Sequence, residues 1–195
     1  MAGQNSISNF ISGFKGGLRK NRFVVNGVLP TSSSTTLSEA QKLKFHVLST
    51  SLPNSTLGIV DFPYRGRKIP YVGDRIYEPW DITVLDDISG GLYARFQAWT
   101  ELFNKQADNE HQADSDSFSN IISDSWYVYQ LRLDGGVEKA IRLRECWPTF
   151  VSPLSFQMDS SAFNSFTVRM LYNYIEIQGI EVEPGGGGFS SNPSA

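Results

Sequence analysis

Apolar and polar positions alternate along most of this chain with the two-residue period of half-buried strands, and two segments depart from it with helical spacing. Near the start, Ile7, Phe10, Ile11 and Phe14 fall three and four apart, which predicts a short docking helix weakened by Gly13, Gly16 and Gly17. After Gly90-Gly91, the residues Leu92, Phe96, Trp99 and Phe103 draw an apolar stripe opposite Arg95, Gln97 and Glu101, the strong helix pattern of the chain.

The strand pattern begins at Arg22 to Leu29, stopped by Pro30, and resumes at Leu43 to Leu52, where Phe45, Val47 and Ser49 alternate with Lys44, His46 and Leu48 before Pro53. Two arms, Leu57 to Phe62 and Lys68 to Val72, flank Pro63-Tyr64-Arg65-Gly66 and predict a hairpin with a basic tip. Trp80, Ile82 and Val84 then face one way, with Asp81, Thr83 and Leu85 the other, until Asp86-Asp87 breaks the run. Tyr127, Tyr129, Leu131 and Leu133 share one face of a strand that turns at Asp134-Gly135-Gly136 and returns as Val137 to Trp147. Alternating aromatics of this kind fill sandwich cores or subunit seams. Phe163 to Ile177 reads as one closing strand, apolar on both faces and so covered on both.

Polar stretches separate these elements. Thr31 to Ser38 is a Ser/Thr loop, and Gln106 to Ser125 is an acidic surface loop in which Phe118, Ile121 and Ile122 offer an apolar anchor. The expected organisation is an N-terminal arm over 1–20, one β domain over 21–178, and a flexible Gly-rich tail over 179–195.

Composition narrows the function. A net charge of -3 does not suit a protein that clamps nucleic acid, which needs concentrated Lys and Arg. Cys146 has no partner for a disulfide, and His46 and His111 make no zinc spacing. No apolar run approaches the roughly 20 residues that span a bilayer, and the start of the chain carries no basic leader, so no membrane is expected. Gly185 to Gly188 lacks the Lys-Ser/Thr of a phosphate loop, Asp86-Asp87 lacks calcium-loop spacing, and no catalytic motif occurs. The expectation is therefore a protein with no catalytic residues, no cofactor and no metal.

Longer motifs point further. Arg67-Lys68-Ile69-Pro70, then Gly73-Asp74-Arg75 and Trp80-Asp81-Ile82-Thr83-Val84, are joined by a second block at Lys139 to Thr149 ending in Trp147-Pro148-Thr149, and by Asn164 to Tyr174. In order and spacing this pattern resembles the tail tube proteins of contractile-tailed bacteriophages, the T4-like tail tube family, over most of residues 22 to 177. The resemblance implies a mainly β fold, an antiparallel sandwich or barrel with one flanking helix, whose strands join a continuous inner β-barrel in a hexameric ring. It further implies rings stacked helically inside a contractile sheath in the virion tail, with sheath, baseplate and tail-terminator proteins as partners. Double-stranded DNA would pass through the lumen without specific binding, which calls for a neutral or acidic lining.

Candidate subunit contacts are drawn from charge, motif and apolar spacing: Arg65, Arg67 and Lys68 at the basic hairpin, Asp74 and Arg75 in Gly-Asp-Arg, and Ile7, Phe10 and Phe14 as an apolar arm. Competing readings are a tube initiator at the baseplate, the tube of a phage-derived injection particle, and a monomeric β-sandwich binding module.

Overall fold

The computed structural model describes residues 7–14, 17–30, 43–44, 46–88, 91–107, 121–159 and 161–178. The Ser/Thr loop over 31–38, Phe45, most of the acidic loop including Phe118, and the Gly-rich tail lie outside the described residues. Helix α1 spans Ile7–Phe14 and α2 spans Gly91–Phe103. Strands β1 (Phe23–Asn26), β2 (Val47–Thr50), β3 (Ser55–Tyr64), β4 (Arg67–Tyr77) and β5 (Trp80–Leu85) precede α2. Strands β6 (Trp126–Leu131), β7 (Val137–Arg144), β8 (Trp147–Val151), β9 (Ser165–Leu171) and β10 (Tyr174–Gln178) follow it.

All pairings between these strands are antiparallel, in two four-stranded sheets ordered β1-β6-β7-β10 and β2-β5-β9-β8, with β3 and β4 forming a separate two-stranded hairpin. The sheets share one core. Trp80, Ile82 and Val84 on β5 and Phe166, Val168 and Met170 on β9 face Val25, Trp126, Val128 and Leu143 from the other sheet. Trp80 meets Trp126 edge-on, with ring centroids 5.9 Å apart. The predicted stripe of α2 closes this core, as Phe96 contacts Trp126 and Phe166, and Trp99 stacks on Trp126 while donating its Nε1–H to the Ile121 carbonyl at 2.8 Å.

Two expectations need correction, the bounds of β2 and the single closing strand, and a third is narrowed. Strand β2 is shorter than Leu43 to Leu52, because Leu43 and Lys44 take helical backbone and Leu43 plugs the core instead of joining the ladder. In β6 the inward residues are Trp126 and Val128, so Tyr127 and Tyr129 lie on the outer face, stacked on each other at 5.8 Å. A one-residue slip in register exchanges the two faces of a strand, and the larger indole takes the core.

The closing segment is two strands, not one: β9 belongs to one sheet and β10 to the other. The chain changes sheets at Tyr172-Asn173, where the Tyr172 hydroxyl donates to the Asn54 carbonyl at 2.9 Å. The step from β7 to β8 crosses back beside it, through Glu145 at φ 51 and buried Cys146. The Asn173 side-chain amide donates to the Glu145 carboxylate and the Asn173 N–H to the Arg144 carbonyl, tying the two crossings together.

Candidate assembly interface

Every large apolar side chain of the sandwich core has partners within the subunit, but those of the β3–β4 hairpin, apart from Tyr77 at its base, do not share that core. Register places Val60 opposite Tyr71, Phe62 opposite Ile69 and Tyr64 opposite Arg67, so five large apolar residues occupy one face of the hairpin. The opposite face carries Ile59 across from Val72, then Asp61 with Pro70 and Pro63 with Lys68. Both faces are open to solvent, with Ile59 and Tyr71 each 74% exposed. A two-stranded ribbon of this kind is marginal in water without a covering layer.

Local chemistry fixes its shape. Arg65 at φ 45 and Gly66 at φ 81 form the two-residue tip with both φ positive, the turn whose twist matches a hairpin. Lower down, the register shifts between Leu57 and Ile59, where Gly58 faces Gly73. A Cβ on Gly73 would sit 3.0 Å from the Gly58 backbone carbon, so the Gly of the Gly-Asp-Arg motif permits a close backbone approach.

The structure gathers Arg65, Arg67 and Lys68 at the tip, all exposed. The Arg65 guanidinium lies 5.4 Å from the Tyr64 ring centroid, and Lys68 Nζ lies 3.8 Å from Asp61. Asp74 and Arg75 sit apart from these, toward the hairpin base, where Arg75 Nη1 donates to Ser55 Oγ at 2.7 Å. Ile7, Phe10 and Phe14 form a third, separate group on α1, which is exposed throughout. Phe10 stacks on Phe14 at 5.4 Å, and Phe14 with Leu18 borders an open depression of about 380 Å³ beside Arg132, Leu133, Asp134 and Glu138.

Two features escaped the sequence reasoning. The apolar face of the hairpin was signalled by consecutive pairs, Ile59-Val60 and Tyr71-Val72, that place apolar groups on both sides of a strand. The outer faces of the two sheets carry charge pairs that only register reveals. Arg144 Nε donates to Glu176 Oε1 at 3.0 Å, and Arg142 lies over the Tyr127 ring at 5.3 Å. Arg169 is held by Asp81 on the adjacent strand, at 2.8 and 3.0 Å through both nitrogens, and this hydrogen bonding draws the Asp81 pKa below its ordinary range.

Cys146 is buried, and burial with nearby Asp124 pushes its thiol pKa well up, so it packs as a small apolar side chain. No group of three or more metal-ligating side chains occurs among the described residues, and none of their helices is long and apolar enough to cross a membrane.

Comparison with known proteins places this geometry. The tail tube protein of Serratia phage KSP90 is 26% identical over 167 residues, covering 86% of this chain and 90% of that protein. Tail tube protein gp19 of Enterobacteria phage T4 is 26% identical over 138 residues, covering 70% and 82%. Among solved structures, a chain of the anti-feeding prophage baseplate has a TM-score of 0.58 at 12% identity, covering 83% of this chain and 95% of that one. A chain of the sheath-tube complex of an extracellular contractile injection system, in the extended state, has a TM-score of 0.54 at 12% identity and covers 90% and 99%. The fold is thus shared with chains of contractile injection assemblies, and the sequence profile of the phage tail tube protein family matches residues 18–178: this chain belongs to that family.

Proposed function

We propose that this protein is the repeated structural subunit of the tail tube of a contractile phage, forming hexameric rings that stack helically inside a sheath and conduct the genome. The observation that carries this reading is the β3–β4 hairpin, two long strands whose apolar side chains its own subunit leaves exposed. Exposed apolar area on this scale marks an interaction surface, and an uncovered ribbon costs solubility unless a neighbour covers it.

A heterologous contact, hairpin to a different surface of the next copy, repeats without limit and so builds a tube. Among the described residues β1, β10, β2 and β8 are the edges of the two sheets, and strands of adjacent subunits in a ring can extend them. The cations at the tip and the apolar stripe of α1 supply orientation and a second adhesive element. Sheath, baseplate and tail-terminator proteins are the remaining partners, and the role is structural, not catalytic.

Hairpin substitution tests this directly. Phe62→Ser with Tyr71→Ser leaves the sandwich core untouched, so the variant is expected to keep the wild-type circular dichroism and melting temperature. By sedimentation velocity it stays monomeric at concentrations where the wild type forms rings or longer assemblies. Wild-type assembly undiminished in this variant contradicts the reading.

A further inference from the structure

The two sheets turn different outer faces away from their shared core. On β5 and β9 the inward residues alternate with outward ones, and register aligns the latter across the sheet. Ser49 of β2 lies opposite Thr83 of β5, and Thr83 opposite Thr167 of β9. Ser152, just past β8, accepts from the Thr167 N–H through its Oγ at 2.9 Å. One row of four hydroxyl residues therefore crosses the sheet from edge to edge.

The neighbouring row holds the charged side chains of this face, Asp81 and Arg169. Arg169 Nε donates to Asp81 Oδ1 at 2.8 Å and its Nη2 to Oδ2 at 3.0 Å, so the planar donor fork is already engaged by a carboxylate on the next strand. Phe150, opposite Arg169, flanks the pair. The outer face of β6, β7 and β10 has another character: stacked Tyr127 and Tyr129, with Arg142 and Arg144 paired to Glu176. Half-buried tyrosines and arginines are the residues of protein contact surfaces.

We infer that the outer face of the β2-β5-β9-β8 sheet lines the bore of the tube, and that Asp81 compensates the charge of Arg169 toward the phosphates of a passing DNA duplex. This rests on the tube reading above. An unpaired arginine in every subunit would release counterions at each phosphate it met and hold the duplex in place. An engaged arginine beside a row of hydroxyls offers only weak, exchangeable contacts. The hairpin supports the same placement, because β3 and β4 continue the paired strands β2 and β5 of this sheet, so the proposed bore and the proposed inter-subunit surface share one set of strands.

Thiol accessibility tests the placement. Cys146 is the sole cysteine of the sequence and is buried, so Thr167→Cys introduces one reactive thiol, and Thr83→Cys serves if that variant does not assemble. A small maleimide is expected to modify the new thiol in both free subunits and assembled tubes. A maleimide on a gold particle wider than the tube is expected to couple to free subunits and not to tube walls. Gold along the walls, or loss of small-maleimide labelling on assembly, overturns the inference, since the face would then be external or buried between subunits.

The charge role is read on tubes mixed with a short fluorescent duplex. Asp81→Asn is expected to retain DNA at low salt and release it at high salt, while Asp81→Asn with Arg169→Gln and the wild type retain none. Equal retention by the single and double variants overturns the assigned role of Asp81. If the wild type assembles no tubes under electron microscopy, the underlying tube reading fails instead.

Discussion

Arg65 occupies a left-handed backbone conformation that costs an L-residue roughly 1–2 kcal/mol, and Asn or Gly would fit it better. Strain kept at an exposed tip points to use of the side chain. Arg65→Asn is accordingly expected to slow hydrogen exchange of the hairpin amides while weakening assembly, whereas Gly66→Ala, at φ 81, loosens the hairpin by about 1 kcal/mol by the same measurement. Asp81 gives a pH-dependent counterpart. Its folded pKa is depressed below 3.8 by hydrogen bonding to Arg169, so the pair contributes in full above that range, and the contribution is lost as pH falls through the depressed value. Both side chains are about half exposed, so solvent screening keeps the pair's contribution to stability small. Asp81→Asn should therefore lower stability slightly at neutral pH and converge on wild type in acid titrations of the melting temperature.

Among the elements, α2 and the central strands β5, β9, β6 and β7 supply most of the buried core. Trp126 touches Trp80, Phe96 and Trp99, and Trp126→Ala is expected to cost about 3–5 kcal/mol in denaturant unfolding. These elements were readable in advance, because the stripe of Leu92, Phe96 and Trp99 and the alternation of Trp80, Ile82 and Val84 each admit one buried face. The segment from Phe163 to Ile177 was not. Its apolar residues run through Tyr172-Asn173 without a break, while the sheet change there depends on hydrogen bonds to Arg144 and Asn54, which are distant in sequence. For Tyr127 and Tyr129 the sequence left core and subunit seam both open: Trp126 begins the strand, and whether it or its neighbour faces inward is settled by packing against Trp80 and Trp99. The hairpin was legible as a turn and two arms, but its exposure follows from three-dimensional placement beyond the sandwich.

At the scale of the whole molecule, a self-sufficient core carries an appendage that is not self-sufficient, and this division is what an assembling subunit requires. Folding is satisfied within the chain by the two sheets and α2, while β3, β4 and α1 hold apolar surface in reserve. Family membership rests on a match over residues 18–178, and in the proposed assembly neighbouring subunits cover that reserve. Negative-stain electron microscopy of the purified protein across a concentration series tests this central claim most directly. The account predicts single six-fold rings giving way to stacked hollow tubes as concentration rises; particles that remain monomeric at every concentration, even when seeded with baseplate, would contradict it.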